Sequence, residues 1–319
     1  MKQLLCGLVA LGLFVGGAGW ARADYTFTTI DVPGAANTTV SGINSSGEVV
    51  GDYNPSGSYP YRGFVFSNGT YTAFDVPNAA STSGAGINNT GQIVGAYLGP
   101  STSYTGFLRN NSGYTTLSVS GATETRAFGI NDLGQISGTY TTTPNAVPYH
   151  GFLLSNSTYT TLDVPGSMWT FAFGINNSGQ IVGRYQEALA RVHGFLWSAD
   201  SYTTLDFPGA SSTEAIGINN RGQIVGAYVT TGTHGFLYSD GVYTTVDVPG
   251  TFFTEDLGIN DSGQIAGEYV AATGGSYHGF LAIPSAAPVP EPSSRVLLAL
   301  GIAGLLGCTW LGRRRFPRA

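Results

Sequence analysis

Asn176-Asn177-Ser178-Gly179-Gln180-Ile181-Val182-Gly183, introduced by Gly174-Ile175 and followed by His193-Gly194-Phe195-Leu196-Trp197, is one copy of the motif on which this chain is built. Gly-Ile-Asn recurs with its Asn at 44, 88, 131, 176, 219 and 260, at spacings of 44, 43, 45, 43 and 41 residues. Each copy has a Gly three residues after the Asn, then Gly-Phe-Leu or a near variant, then Tyr-Thr-Thr-Leu-Asp-Val-Pro-Gly or similar. Asn-x-x-Gly between apolar runs fits a tight hairpin loop, in which Gly supplies the left-handed residue and Asn bonds its own backbone. Thr160-Thr161-Leu162-Asp163-Val164 alternates polar and apolar at period two and ends at Pro165-Gly166, as a half-buried strand does. Gln180-Ile181-Val182 and Gly194-Phe195-Leu196 carry apolar residues on both faces, so those strands are expected to be covered on both sides.

Four short strands in about 43 residues fit a propeller blade, buried between its neighbours, better than the shorter coil of a β-helix. Six repeats then give an all-β, six-bladed β-propeller over residues 24–283. The stretch Phe27 to Val32 matches the last strand of each repeat, while the sixth repeat stops at Gly279-Phe280-Leu281 without one. The N-terminal strand is therefore expected to complete the last blade and close the ring; an open solenoid would need distinct end caps instead.

The ends read differently from the body. Residues 1–23 begin with Lys2, run apolar to about Trp20 and finish Ala21-Arg22-Ala23, the layout of a secretory signal peptide. Residues 284–294 are rich in Pro, Ala and Ser and form a linker that contains Val289-Pro290-Glu291-Pro292. In 295–319, Val296 to Gly312 are 17 uncharged residues, enough for one transmembrane helix, and Arg313-Arg314-Arg315 follow. Those arginines stay cytoplasmic by the positive-inside rule, which puts the repeats on the far side.

This order of Pro-Glu-Pro, apolar helix and basic end resembles the PEP-CTERM sorting signal of Gram-negative bacteria that make exopolysaccharide. The resemblance implies an exosortase as processing partner, an inner-membrane intermediate held by the C-terminal helix, and a final place at the cell surface or in the extracellular matrix. A permanent single-span anchor is the alternative. The repeats themselves are similar to the HAF family of extracellular repeats, through His-Gly-Phe-Leu, Gly-Ile-Asn and Gly-Gln-Ile-Val-Gly; that likeness implies an extracellular repeat and carries no activity with it.

Composition narrows the function. Six Arg stand against 18 Asp and Glu in residues 24–288, a formal charge of −12, so nucleic acid is not an expected partner. Cys6 and Cys308 both fall in the ends, which excludes thiol chemistry and Cys-ligated metals from the body. His150, His193, His234 and His278 share one repeat position, too far apart around a ring for bonds of about 2 Å to one metal. Asp31, Asp75, Asp163, Asp206 and Asp247 share another without clustering as a calcium loop. Hydrogen-bonding structural roles are expected for both series, and no cofactor or metal.

Binding should break the symmetry that folding imposes. The variable position three residues before the Gly of Gly-Ile-Asn holds Thr39, Ser83, Arg126, Phe171, Glu214 and Glu255. Glu124, Trp169, Phe252 and Asp256 lie close by in sequence. Small residues such as Ala172 and Ala215 mark this strand as the innermost, so the six positions should gather at one mouth of the central channel. Arg126, Trp169, Phe171, Glu214, Phe252 and Glu255 are the candidate ligand-binding set, with aromatic faces and carboxylates suited to a sugar chain. The expected function is non-catalytic binding or organisation of exopolysaccharide. A propeller glycosidase or polysaccharide lyase, with Glu214 and Glu255 as the carboxylate pair, and a purely structural surface protein are the alternatives.

Overall fold

The computed structural model describes residues 25–285 apart from 58, 100–102, 144–146, 188–190 and 273–274. The expected leader, the linker from 286 onward and the expected transmembrane segment and basic tail lie outside the described residues. Among the described residues every regular element is a strand, and no helix is long and apolar enough to cross a membrane.

Among the described residues, 24 strands form six antiparallel four-stranded blades. Blades one to five are 37–74, 81–117, 124–162, 167–205 and 212–245, each running in sequence order from the innermost strand outward. Blade six takes its three inner strands from 253–284 and its outer one from Tyr25–Ile30, paired antiparallel from Tyr25 opposite Pro284 to Ile30 opposite Gly279. The N-terminal strand thus closes the ring, as its sequence matched. It ends at Ile30, two residues before the expected Val32, because Asp31 turns to bond His278 and the Val32 N–H goes to Thr38 Oγ1 in blade one. The body also runs one residue past the expected 283, since Pro284 ends the third strand of blade six.

The repeat motif has a packing cause. Phe64, Phe107, Phe152, Phe195, Phe236 and Phe280, the Phe of each Gly-Phe, are fully buried. Gly183 faces Phe195 directly across the ladder, and a Cβ on Gly183 would lie 2.6 Å from the ring. The glycine therefore makes room for the aromatic side chain of the next strand. Each core cluster spans two blades: Val50 and Phe74 of blade one pack with Ile87, Ile93 and Phe107 of blade two. At about 1.5–3 kcal/mol per buried large side chain, this inter-blade packing is the main source of stability.

The asparagines tie the blades together. In each Asn-x-x-Gly loop the Asn Oδ1 accepts from the backbone N–H groups two and four residues on, as in Asn176 with Ser178 (3.1 Å) and Gln180 (3.0 Å). Nδ2 donates once within the blade, to Gln180 Oε1 at 2.8 Å, and once to the backbone of the next blade, Asn219 O at 3.2 Å. The same inter-blade bond runs from 44 to 88, 88 to 131, 131 to 176, 219 to 260 and, across the seam, from Asn260 to Asn44 O at 3.0 Å. All four hydrogen-bonding positions of a buried amide are filled.

The histidines and aspartates that recur separately in the sequence meet in space. His150, His193, His234 and His278 place Nδ1 2.8–2.9 Å from Asp163, Asp206, Asp247 and Asp31. Each imidazole also packs on the tyrosine opposite it, as His193 does on Tyr185 with ring centroids 5.2 Å apart. In blade one Arg62 pairs with Asp75 in their place. These pairs join the third and outer strands of a blade and hold the His side chains apart, one blade each.

Candidate functional site

The six innermost strands line a central cavity of about 380 Å³. Its lower end is a collar of Ile43, Ile87, Ile130, Ile175, Ile218 and Ile259, and above the collar Phe128, Phe173, Ile216 and Leu257 make an apolar middle. Toward the mouth the wall turns polar, with Asp52, Ser83, Arg184, Glu214 and Glu255.

Of the variable positions read from the sequence, Ser83, Glu214 and Glu255 line this cavity. Phe171 stands beside it as part of an aromatic wall. Arg184, its cross-strand partner, sits 5.0 Å from the Phe171 ring and 5.6 Å from those of Phe173 and Trp169. The guanidinium donates from Nη1 to Glu214 Oε1 at 2.6 Å, while its Nε is buried without a partner. Trp169 is fixed by its indole N–H on Gln186 Oε1 at 3.0 Å. Arg126 turns away from the cavity, onto the buried Glu124 and over the Tyr104 ring at 4.1 Å. Phe252 precedes its strand, does not line the cavity and is exposed.

Sequence reading missed the second-strand residues that face these positions. Thr39 pairs with Asp52, Phe171 with Arg184 and Glu255 with Glu268 across their ladders. Each of the three then reaches the next blade: Asp52 bonds Ser83, Arg184 bonds Glu214, and Glu268 bonds Thr39. The signal available in sequence was the residue just after Gly-Gln-Ile-Val-Gly or its variants, which reads Asp52, Ala96, Thr139, Arg184, Ala227 and Glu268.

Blades five, six and one therefore present a wall of carboxylates opposite the aromatic wall of blades three and four. Burial, then the charges of Glu268 and Glu214, push Glu255 up to about 8 against the pull of Arg184. Burial raises Asp52 to about 7 despite its bond to Ser83, with Glu268 adding to the rise. Glu268 reaches about 7, again through burial, with the Thr39 bond opposing. Asp256 lies between blades five and six, fully buried with neither oxygen hydrogen-bonded, at a position held by Val40, Gly84, Ala127, Ala172 and Ala215 elsewhere. Burial, with Asp247 and Glu255 nearby, holds it well above the usual carboxylate range.

These shifts fix a pH dependence. The folded carboxyls hold their protons above the unfolded value near 4, so unfolding releases protons, and stability is greatest in mild acid and falls as pH rises through 7 to 8. Thermal unfolding followed from pH 5 to pH 9 should show a falling Tm. Asp256→Ala, which gives blade six the residue of blades three to five, removes an unpartnered buried carboxyl that costs on the order of 1–3 kcal/mol. It should raise Tm by roughly 3–10 °C at pH 7.5 and flatten the pH slope. A Tm that climbs with pH, or a destabilised variant, would contradict this account of the wall.

Comparison with known proteins bears on both parts of the chain. The model of the PEP-CTERM protein-sorting motif matches residues 288–315, and so marks an exported protein that is sorted to the cell surface. No curated protein matches the chain in sequence. Among solved structures, a fungal lectin with a six-bladed β-propeller fold, the Aleuria aurantia lectin, is 13% identical with a TM-score of 0.50 over 81% of this chain and 100% of that one. AofleA from Arthrobotrys oligospora is 9% identical with a TM-score of 0.50 over 86% and 96%. The β-propeller domain of the Trilobed protease from Pyrococcus furiosus is 10% identical with a TM-score of 0.50 over 77% and 81%. At such identities the likeness is one of fold.

Proposed function

We propose that this chain is a non-catalytic carbohydrate-binding protein of the Gram-negative cell surface or extracellular matrix, which takes up exopolysaccharide at the mouth of its central channel. On this reading it passes through an inner-membrane intermediate held by its C-terminal helix, an exosortase removes the tail, and the HAF-like repeats serve as an extracellular scaffold. The observation that carries the binding role is the cavity itself, lined by Phe128 and Phe173 in its middle and by Asp52, Ser83, Arg184, Glu214 and Glu255 toward the mouth, with Phe171 and Trp169 packed on Arg184 beside it. The apolar face of a sugar ring stacks on aromatic groups, and its hydroxyls exchange hydrogen bonds with carboxyl groups, which accept when ionised and both donate and accept when protonated. With Arg184 paired to Glu214, and Glu255 and Asp52 held at about 8 and 7 by burial, the cavity carries little net charge near neutral pH, which favours neutral sugars over charged ones. The fold shared with a fungal lectin makes a sugar the apt first probe.

Calorimetric titration of the purified exported chain with exopolysaccharide from the bacterium that makes it should give saturable heat, lowered at least tenfold in affinity by Glu214→Ala with Glu255→Ala. No heat at millimolar sugar would overturn the reading.

One observation favours the glycosidase alternative. Glu255 and Glu268 are directly opposite on an antiparallel pair, where Cβ atoms stand about 4.5–5.5 Å apart, and both titrate near neutrality as a general acid must. New reducing ends appearing during the titration, and absent with Glu255→Gln, would make that alternative the better account.

A further inference from the structure

From the shape of the channel we infer that the site recognises a terminal sugar residue, inserted end-on, rather than the interior of a chain threaded through the ring. The inference rests on the carbohydrate reading above and adds the mode of binding. The inner strands already touch at the level of the Gly-Ile-Asn motif. A Cβ on Gly42 would lie 2.8 Å from the Ala85 carbonyl oxygen and 3.3 Å from Gly86 Cα of blade two, and one on Gly258 would lie 3.1 Å from Gly42 Cα across the seam. Backbone in contact around the whole ring leaves no slack for widening, and at this level the six isoleucines line the cavity while packing into the cores between blades. Beyond them lies a polar recess of about 70 Å³ among the asparagine loops, well below the roughly 300–1,000 Å³ that small ligands fill. The cavity above, at about 380 Å³, is at the lower end of the range of about 300–1,000 Å³ that small ligands fill. A polymer can therefore enter from the mouth and stop at the isoleucine collar, but it cannot pass.

A terminal residue can belong to the backbone of the polysaccharide or to the tip of a side branch. The exported chain would be titrated with its own exopolysaccharide at native length, after partial hydrolysis into shorter size classes, and after selective periodate oxidation of terminal residues. Binding capacity per milligram of sugar that rises in inverse proportion to length identifies backbone ends. Capacity indifferent to length but lost on oxidation identifies branch tips. Capacity unchanged by either treatment overturns end recognition while leaving the carbohydrate reading intact, and no binding to any preparation overturns both. The location is tested by Ala85→Phe, which fills the cavity with the side chain that blades three and four carry at Phe128 and Phe173. Affinity should drop at least tenfold with Tm within a few degrees of the parent; unchanged affinity in a folded variant would remove the ligand from the cavity.

Discussion

Deletion of the N-terminal strand, residues 25–30, is expected to leave a chain that does not fold at 25 °C. The strand contributes the whole outer ladder of blade six and places Ile30 in a cluster with Val40, Ile43, Val49 and Phe64 of blade one, so it closes both a sheet and the seam of the ring. Its ladder bonds are worth about 0.5–1.5 kcal/mol each and its buried side chains about 1.5–3 kcal/mol each. Together they rival the roughly 5–15 kcal/mol total stability of a typical protein. The truncated blade would also expose the edge of His278–Pro284, which invites aggregation. A graded version is Ile30→Ala, expected to cost about 2–5 kcal/mol as a buried aliphatic truncation. A synthetic peptide of residues 24–33 added in trans should restore cooperative unfolding to the truncated chain. A truncated chain with the parent's Tm would show that the ring does not depend on this closure.

The second large effect is expected at the asparagine ring. Asn260→Ala removes the seam bond to Asn44 O, the bond to Gln264 Oε1 and the acceptor for the N–H groups of Ser262 and Gln264. Each orphaned buried group costs about 1–3 kcal/mol, so about 3–5 kcal/mol is expected after relaxation and partial hydration. Asn260→Asp should do no better: it keeps the acceptor but replaces the donor with a charge facing two oxygens. Denaturant unfolding reads both. A loss under 1 kcal/mol would mean that the loops hold their shape without the ring.

Why the fold was readable and the site only partly so follows from what a repeat encodes. Asn176 and Gly179 define their loop by local chemistry, and Gly183 with Phe195 define a cross-strand fit, so the motif carries both the turn and the packing of each blade. The stretch from Phe27 showed its role because it matched strands elsewhere in the chain. The mouth is built from residues of two strands and two blades at once. Period-two alternation shows which face Glu214 shares with its strand neighbours, but the register that brings Arg184 to it across 30 residues is set by the hairpin and the next blade together. Arg126 and Phe252 were grouped with the others by position alone; Arg126 is held by a local partner, Glu124, and Phe252 falls one residue before its strand, and neither lines the cavity. Asp256 was legible as the one charged member of a small-residue series, a departure that only burial makes meaningful.

A crystal structure of the exported chain with a short oligosaccharide cut from its exopolysaccharide is the most direct test of the channel-mouth site. The account predicts sugar density above the isoleucine collar, with one ring against Phe128 or Phe173 and hydroxyls on Glu214, Glu255 or Asp52; density confined to the outer faces of the blades, with the cavity holding water alone, would contradict it.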